Sequence, residues 1–284
     1  MKLVGLSMVR DEADIIESFA RHNLGYVDEL HVIVQPSQDA TRAILDALVR
    51  EGLPLRVTDD DEGGFMQGRK LTALGRRLLR SAAADAVLVL DADEFVRAPD
   101  KAFLADVLAR VPDDCLGSWQ WISYVPTVEA APSGVPVTRV ITARRRAEYP
   151  IPKIILTRCF AERSDLLLPT GSHEVHSTTG AQRFRVARIR GAGLAHFPVR
   201  SASQIRNKIE RGLAAMDKDS VGAQLGFHWR RIREMIEAEG MTFDLLQKIA
   251  LDYQFTDATP IADIASWLVD DPLPCNFALR YDAR

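Results

Sequence analysis

Short apolar runs alternate with amphipathic segments over the first hundred residues. The apolar runs at 3–9, 30–34, 55–58 and 86–90 are rich in branched side chains and predict buried strands. The segments between them carry apolar residues at helical spacing and predict helices, the first with Asp14 and Glu17 at capping-box spacing. This β-α-β-α-β-α-β order favours an α/β fold with a mixed, mostly parallel sheet and helices on both faces.

The rest of the chain continues this pattern and then becomes helical. Residues 101–109 predict a helix, and residues 118–125 and 153–158 predict strands. From about residue 201, apolar stripes predict a helical C-terminal extension over 201–284, after an α/β domain over 1–200. The extension would suit a cover for an active-site edge or a homodimer interface. Its mixed Arg and Glu faces make a membrane surface the weaker choice.

Composition narrows the class of protein. The 284 residues are 47% hydrophobic and 26% charged, which is enough for a substantial core. A net charge of -3 gives no general sign of nucleic-acid binding. Three well-separated cysteines fit a reducing compartment and no zinc site. Because no apolar run could span a bilayer or act as a signal peptide, we predict a cytoplasmic protein without a transmembrane segment.

Two aspartates, Asp91 and Asp93, follow the fourth predicted strand directly. On an extended segment, residues two apart point the same way, so both carboxylates should aim at one point past the strand. Carboxylate oxygens suit Mg²⁺ or Mn²⁺, and these ions often complete their coordination with phosphates. Asp-x-Asp alone also fits a plain turn with a helix cap. The buried strand before it favours the metal site.

The loops after the other strands should meet this acid pair at one edge of the sheet. The sequence has neither the glycine fingerprint of dinucleotide-binding proteins nor a P-loop. A diphosphate bound here would therefore depend on a metal and on cations such as Arg10, Arg69 and Lys70.

Three of these segments together carry a family resemblance. Met8-Val-Arg-Asp-Glu12, Gln35-Pro-Ser-Gln-Asp39-Ala-Thr41 and Leu90-Asp-Ala-Asp-Glu-Phe95 resemble the family-two-like glycosyltransferases of the GT-A fold. The similarity is greatest to a bacterial subgroup with an Asp-x-Asp-Glu-Phe metal motif. It implies a metal-dependent, inverting hexosyltransferase that moves a sugar from a nucleotide-diphosphate donor to a hydroxyl acceptor on a glycan, a lipid-linked substrate or a protein. The family's first loop more often reads Asn-Glu, and Asp11 before Glu12 leaves the donor open.

The resemblance also implies site residues. Residues 1–100 would form the nucleotide-sugar half of the domain and residues 101–200 the acceptor half. Asp91, Asp93 and His196 would bind Mn²⁺ or Mg²⁺, with the histidine favouring manganese. A core role for His196 and a plain surface role for Lys208 stay open. The candidates for donor binding are Val9, Arg10, Glu12, Gln35, Asp39, Asp60, Lys70, Ala92 and Lys208.

An inverting transfer needs a base that accepts the proton of the acceptor hydroxyl. The candidates are His173 and Glu174 in the polar segment Gly171-Ser-His-Glu-Val-His176, although a lone histidine is often structural. Trp119 and Trp121 fit either a sugar platform or, more simply, the core. Residues 129–137 fit either a lid or an ordinary surface loop.

Three rival functions share parts of this pattern. A haloacid-dehalogenase-type phosphatase also places Asp-x-Asp after a strand, but normally the first strand, and with Thr or Val where Phe95 stands. A nucleotidyltransferase needs a Gly-rich first loop that is missing here. A non-catalytic sugar-nucleotide-binding protein would bind the donor with neither transfer nor hydrolysis.

Overall fold

The computed structural model describes residues 1–60, 66–180, 184–216, 227–255 and 263–281. Within these ranges the strands are β1 (Leu3–Val9), β2 (Glu29–Val34), β3 (Leu55–Asp59), β4 (Ala86–Val89), β5 (Glu94–Arg97), β6 (Cys115–Ser123), β7 (Ala143–Arg145), β8 (Pro152–Leu156), β9 (Leu166–Leu167), β10 (His176–Ser177), β11 (Arg185–Arg188), β12 (Gly193–His196) and β13 (Leu268–Asp270). The helices are α1 (Ile16–Asn23), α2 (Thr41–Arg50), α3 (Gln67–Arg80), α4 (Lys101–Ala109), α5 (Val137–Val140), α6 (Arg158–Glu162), α7 (Ala202–Met216), α8 (Phe227–Glu239), α9 (Phe243–Leu251) and α10 (Ile264–Trp267).

One large sheet organises these elements. Its strand order is β3-β2-β1-β4-β8-β6-β12-β5, with β11 also beside β6. The first four strands in this order are parallel to one another. Strand β8 is antiparallel to both β4 and β6, and β5 is antiparallel to β12. The sheet is therefore mixed and mostly parallel, as the sequence predicts.

Alternating side chains of the strands feed two cores, one on each face of the sheet. In β1, Leu3 belongs to one core, while Val4 and Leu6 belong to the other. Helix α1 covers the first core with Phe19, and helix α3 covers the second with Leu71. Each such side chain stabilises the fold by about 1.5–3 kcal/mol when fully buried. The predicted α/β class, with helices on both faces, is confirmed.

The sheet curls so that its β5 end approaches β4. In the strand order these two strands lie four spacings apart, about 19 Å in a flat sheet. Only four residues connect Val89 to Glu94, and they include a turn in which the Glu94 amide donates to the Asp91 carbonyl at 3.0 Å. The ends of such a turn lie within about 7 Å of each other. A link this short requires a curled sheet, and the acid pair lies on that link.

The C-terminal helices build a third hydrophobic cluster. Helices α7, α8 and α9 contribute Ile205, Ile232 and Ile249 to it, and Val199 joins it from the main domain. Strand β13 then pairs with β7. Across the described ranges, no helix combines the length and apolarity needed to cross a membrane. The domain boundary near residue 200 and a homodimer through these helices stay predictions.

Candidate active site

The loops after β1 and β2 are bound together at the carboxyl edge of the sheet. The Gln35 amide donates to the Val9 carbonyl at 2.9 Å, and the Glu12 amide donates to Thr41 Oγ1 at 2.8 Å. The Asp39 carboxylate accepts from the Ala13 amide at 3.0 Å and from the Thr41 amide at 2.9 Å. These contacts hold both predicted donor loops at one edge; their contact with a nucleotide stays a prediction.

The other predicted donor residues differ in exposure. Ala92 is 4% exposed and belongs to the first core. Arg10 pairs with Asp11 at 3.3 Å and has a side chain 37% exposed. Asp60, at the end of β3, forms an ion pair with Lys70 of α3. Residues 61–64 of the acidic loop lie outside the described residues.

The acid pair lies on a turn, so the expectation of an extended backbone through Asp93 is wrong. Strand β4 ends at Val89, and the turn gives the two aspartates different surroundings. The side chain of Asp91 is 32% exposed, whereas that of Asp93 is 3% exposed. Glu94 completes the turn because its Oε2 accepts from the Asp91 amide at 2.8 Å.

A fully buried lysine contacts both Asp91 and Glu94. Lys153 of β8 donates to Asp91 Oδ2 at 2.6 Å and to Glu94 Oε1 at 3.0 Å. Burial alone would lower the pKa of Lys153, but the two carboxylates raise it overall, so the ammonium stays charged. Burial raises the pKa of Glu94 to about 8. Sequence reasoning missed this role of Lys153; its signal was a lysine within an apolar strand.

Two cations from the C-terminal side neutralise Asp93 and the first loop. Lys208 of α7 donates to Asp93 Oδ2 at 2.6 Å. Arg200, 2% exposed, donates to Glu12 at 2.6 Å and to Asp14 at 2.6 and 2.9 Å, and lies 3.9 Å from Asp93. Burial would raise the pKa of Asp93, but the charges of Lys208 and Arg200 lower it overall. Burial raises the pKa of Glu12 to about 7. Arg200 was also missed.

His196 lies beside Asp93 because β12 pairs with β5, which places His196 opposite Glu94. Its Nε2 is 3.7 Å from Asp93 Oδ1, and its ring stacks on Trp121 with centroids 4.2 Å apart. Burial lowers the pKa of His196 to about 3, so the imidazole is neutral and able to bind a metal. Its Nδ1 is buried and has no hydrogen-bond partner among the described residues.

The structure separates the two candidate bases. His173 packs edge-on against Trp121 and is close enough to Lys153 and Asp91 for their charges to act on it. Its Nδ1 lies 3.1 Å from the Pro152 carbonyl, which can only accept, so Nδ1 carries the proton and Nε2 keeps its lone pair. Glu174, in contrast, has a side chain 66% exposed and bonds to His176 at 2.8 Å.

The tryptophans belong to the core. Trp119 is fully buried and Trp121 is 3% exposed, so neither offers a face to a sugar. The site is instead lined by Tyr253, which packs against His196 and His228. Burial lowers the pKa of His228 to about 4, and the charge of Lys208 contributes to this shift.

The chemistry of the predicted metal ligands fits a hard divalent ion, but their present arrangement does not form a closed site. Two carboxylates and a neutral imidazole are suitable donors for Mn²⁺. In the part of the chain that the structure describes, however, no three His, Cys, Asp or Glu side chains converge as a metal-binding group. Lysine ammonium groups contact Asp91 and Asp93 instead. The acid pair thus binds cations, and metal coordination by Asp93 Oδ2 would require Lys208 to leave that oxygen.

The sequence matches no protein-family model, and a search of curated proteins gives no match. Similar solved structures include TarS from S. aureus, 17% identical over 76% of this chain and 40% of TarS, with a TM-score of 0.40. The chain thus spans less than half of that protein. The mannosyltransferase PcManGT from Pyrobaculum calidifontis, in complex with GDP-Man and Mn²⁺, is 16% identical over 88% of this chain and 72% of its own, with a TM-score of 0.43.

A third similar structure is glucosyl-3-phosphoglycerate synthase from Mycobacterium tuberculosis, in complex with Mn²⁺, UDP and glucosyl-3-phosphoglycerate. It is 22% identical over 42% of this chain and 44% of its own, with a TM-score of 0.29. At TM-scores below 0.5, these similarities assign no residue, ligand or reaction to this chain.

Proposed function

We propose that this chain is a metal-dependent, inverting glycosyltransferase of the GT-A type, which moves a sugar from a nucleotide-diphosphate donor to a hydroxyl acceptor. One observation carries the proposal. At the carboxyl edge of the sheet, an acid pair able to hold a divalent ion lies beside Lys208, a cation able to contact a diphosphate. Open α/β sheets bind their ligands at this edge.

The acid pair and its neighbours would hold the donor. Asp91, Asp93 and His196 would bind Mn²⁺ or Mg²⁺, which when bound neutralises the charge that develops on the leaving diphosphate. Lys208 would add a second positive charge at the same position. The loops 9–12 and 35–39 would contact the base and ribose.

His173 supports the acceptor half of this proposal better than Glu174 does. Its Nε2 would accept the proton of the acceptor hydroxyl while the bond to the anomeric carbon forms. Burial lowers its pKa to about 4, so the ring is unprotonated at neutral pH. Its contact with Trp121 and its bond to the Pro152 carbonyl hold the ring in one orientation.

Thermal-shift measurements with UDP and GDP, each with and without Mn²⁺, test the donor site. A nucleotide at 100 times its dissociation constant adds about 2.7 kcal/mol to the stability of the folded chain. For a protein of this size that corresponds to a rise in Tm of roughly 5–10 °C. The rise should require Mn²⁺ and should disappear in Asp93→Asn. If neither nucleotide raises Tm with Mn²⁺ present, the proposal is wrong.

Donor turnover then separates the rival functions. A glycosyltransferase releases UDP or GDP from the matching sugar nucleotide, and an acceptor increases that release. A sugar-nucleotide-binding protein would show the thermal shift without release of the nucleotide. NMR of the anomeric proton in the product tests inversion, and retained configuration would contradict it.

A further inference from the structure

Both acids of the Asp-x-Asp segment contact lysine ammonium groups at 2.6 Å, but the two lysines differ in how they are held. Lys153 is fully buried within β8 and also bonds to Glu94, so the sheet fixes its position. Lys208 lies on α7, outside the sheet, and its side chain is 23% exposed. Lys208 is therefore the lysine that can leave its carboxylate without moving a strand.

A divalent ion and the Lys208 ammonium would compete for Asp93. In its present position Lys208 occupies Asp93 Oδ2, and Arg200 lies 3.9 Å from the same oxygen. A divalent ion placed at this oxygen would be repelled by the ammonium at short range. Asp93 can thus neutralise the ammonium or the metal ion alone, but it neutralises the two together poorly.

The surroundings of Lys208 show where the displaced ammonium would go. Its Nζ lies 5.6 Å from the centre of the ring of Tyr253, which is itself buried. Arg211, one turn further along α7, pairs with Asp11 of the first loop at 2.7 Å. This face of α7 therefore directs two cations towards the edge where the donor diphosphate is proposed to bind. A diphosphate is also negatively charged and would give the ammonium a new partner.

Resting on the proposed function, we propose that Lys208 is an internal counterion that competes with the divalent ion for Asp93 and passes to the donor diphosphate when metal and nucleotide bind. It follows that the chain binds the metal weakly without nucleotide. The nucleotide strengthens metal binding partly by removing Lys208 from Asp93. By linkage, the metal strengthens nucleotide binding by the same factor.

The test is a titration with Mn²⁺, in which the EPR signal of free Mn²⁺ gives the dissociation constant. Wild type, Lys208→Met and Lys248→Met are compared without nucleotide and then with UDP or GDP. Lys248 is the matched control because it also pairs with an aspartate at 2.6 Å, but on α9 and with Asp244. Lys208→Met should bind Mn²⁺ alone at least about fivefold tighter than the other two proteins, within the usual range of coupling between ligands. Nucleotide should then strengthen Mn²⁺ binding less in Lys208→Met than in wild type.

The competition is overturned if Lys208→Met binds Mn²⁺ alone no tighter than wild type, or if no protein binds Mn²⁺. If circular dichroism shows that Lys208→Met does not fold, the comparison is decided by Lys208→Gln, which keeps a hydrogen-bond donor but no charge. Failure of the proposed function gives a different result. In that case wild type binds neither UDP nor GDP in the presence of Mn²⁺, while the nucleotide-free comparison still decides the role of Lys208.

Discussion

Substitution of Arg200 by methionine tests the charge network that joins the first loop to the acid pair. Met keeps much of the side-chain volume but removes three hydrogen bonds to the carboxylates of Glu12 and Asp14, at 2.6 to 2.9 Å. Arg200 is only 2% exposed, and its partners Glu12 and Asp14 are 14% and 23% exposed, so water can replace its hydrogen bonds only in part. Removal of one partner from a buried ion pair costs about 3–5 kcal/mol, because the remaining charge stays buried. Because Glu12 and Asp14 keep partial access to water, we expect Arg200→Met to lower the free energy of unfolding by up to that amount.

Urea unfolding followed by circular dichroism measures this change, with Arg188→Met as the matched control. Arg188 also pairs with a glutamate, Glu148, but both side chains are more than half exposed, so its loss should cost less than about 1 kcal/mol. Arg200→Lys keeps the charge but not the two-pronged geometry and should lie between these values. If Arg200→Met and Arg188→Met lose the same stability, the buried network does not stabilise the fold as argued.

Three further predictions concern the site, the packing and the pH dependence. Asp93→Asn should stay folded and lose at least about a hundredfold in turnover of a sugar nucleotide, and normal transfer with metal present would contradict the site assignment. Gly68→Ala should lower stability in urea by about 1–3 kcal/mol, because a Cβ there would lie 2.2 Å from a backbone oxygen, which outweighs the gain of up to about 1 kcal/mol in helix propensity; a stabilised variant would refute this packing. The folded pKa of His228, about 4, lies below its unfolded value near 6.5, so its contribution to stability is intact above pH 6.5 and declines as pH falls towards 4, by up to roughly 3 kcal/mol. The pKa values of Glu12 and Glu94 are raised on folding, so their effect on stability has the opposite pH dependence. The measurement is therefore the difference in the free energy of unfolding between wild type and His228→Asn, taken at pH 7.5 and at pH 4.5. An equal difference at the two pH values would contradict the prediction.

The sequence predicted elements well where local signals are strong. The predicted bounds 3–9 and 101–109 match β1 and α4. Strand β5 was missed because it has four residues, and its partner β12 lies about a hundred residues later. The capping box of Asp14 and Glu17 is wrong: the helix begins later, without a side-chain cap. Asp14 bonds to Arg200, and Glu17 accepts from Arg21 and from the amides of residues 280 and 281.

In the candidate site too, residues with a local sequence signal were predicted, and residues that depend on contacts between distant segments were missed. Asp91, Asp93 and His196 were predicted from a strand ending and a family resemblance, and the structure brings them to one edge, while their role as metal ligands stays a prediction. Lys153 and Arg200 could not be found in this way, because a buried cation is recognised by acids that only the fold places beside it. Glu174 follows His173 directly in the sequence, yet the loop turns its side chain outward. Their adjacent positions in the sequence did not show which of the two side chains faces the site.

The four-residue link between β4 and β5 restricts how this chain can change in length. Strand β5 is held by its ladder with β12, in which Glu94 lies opposite His196. One inserted residue would have to enlarge the turn or slide β5 by one position, and a slide exchanges the two faces of a strand. Asp93 would then take the place of Glu94 beside Lys153, and Glu94 would take the core position of Phe95. Insertions and deletions should therefore be tolerated far less between Leu90 and Glu94 than in the loops on the opposite edge of the sheet.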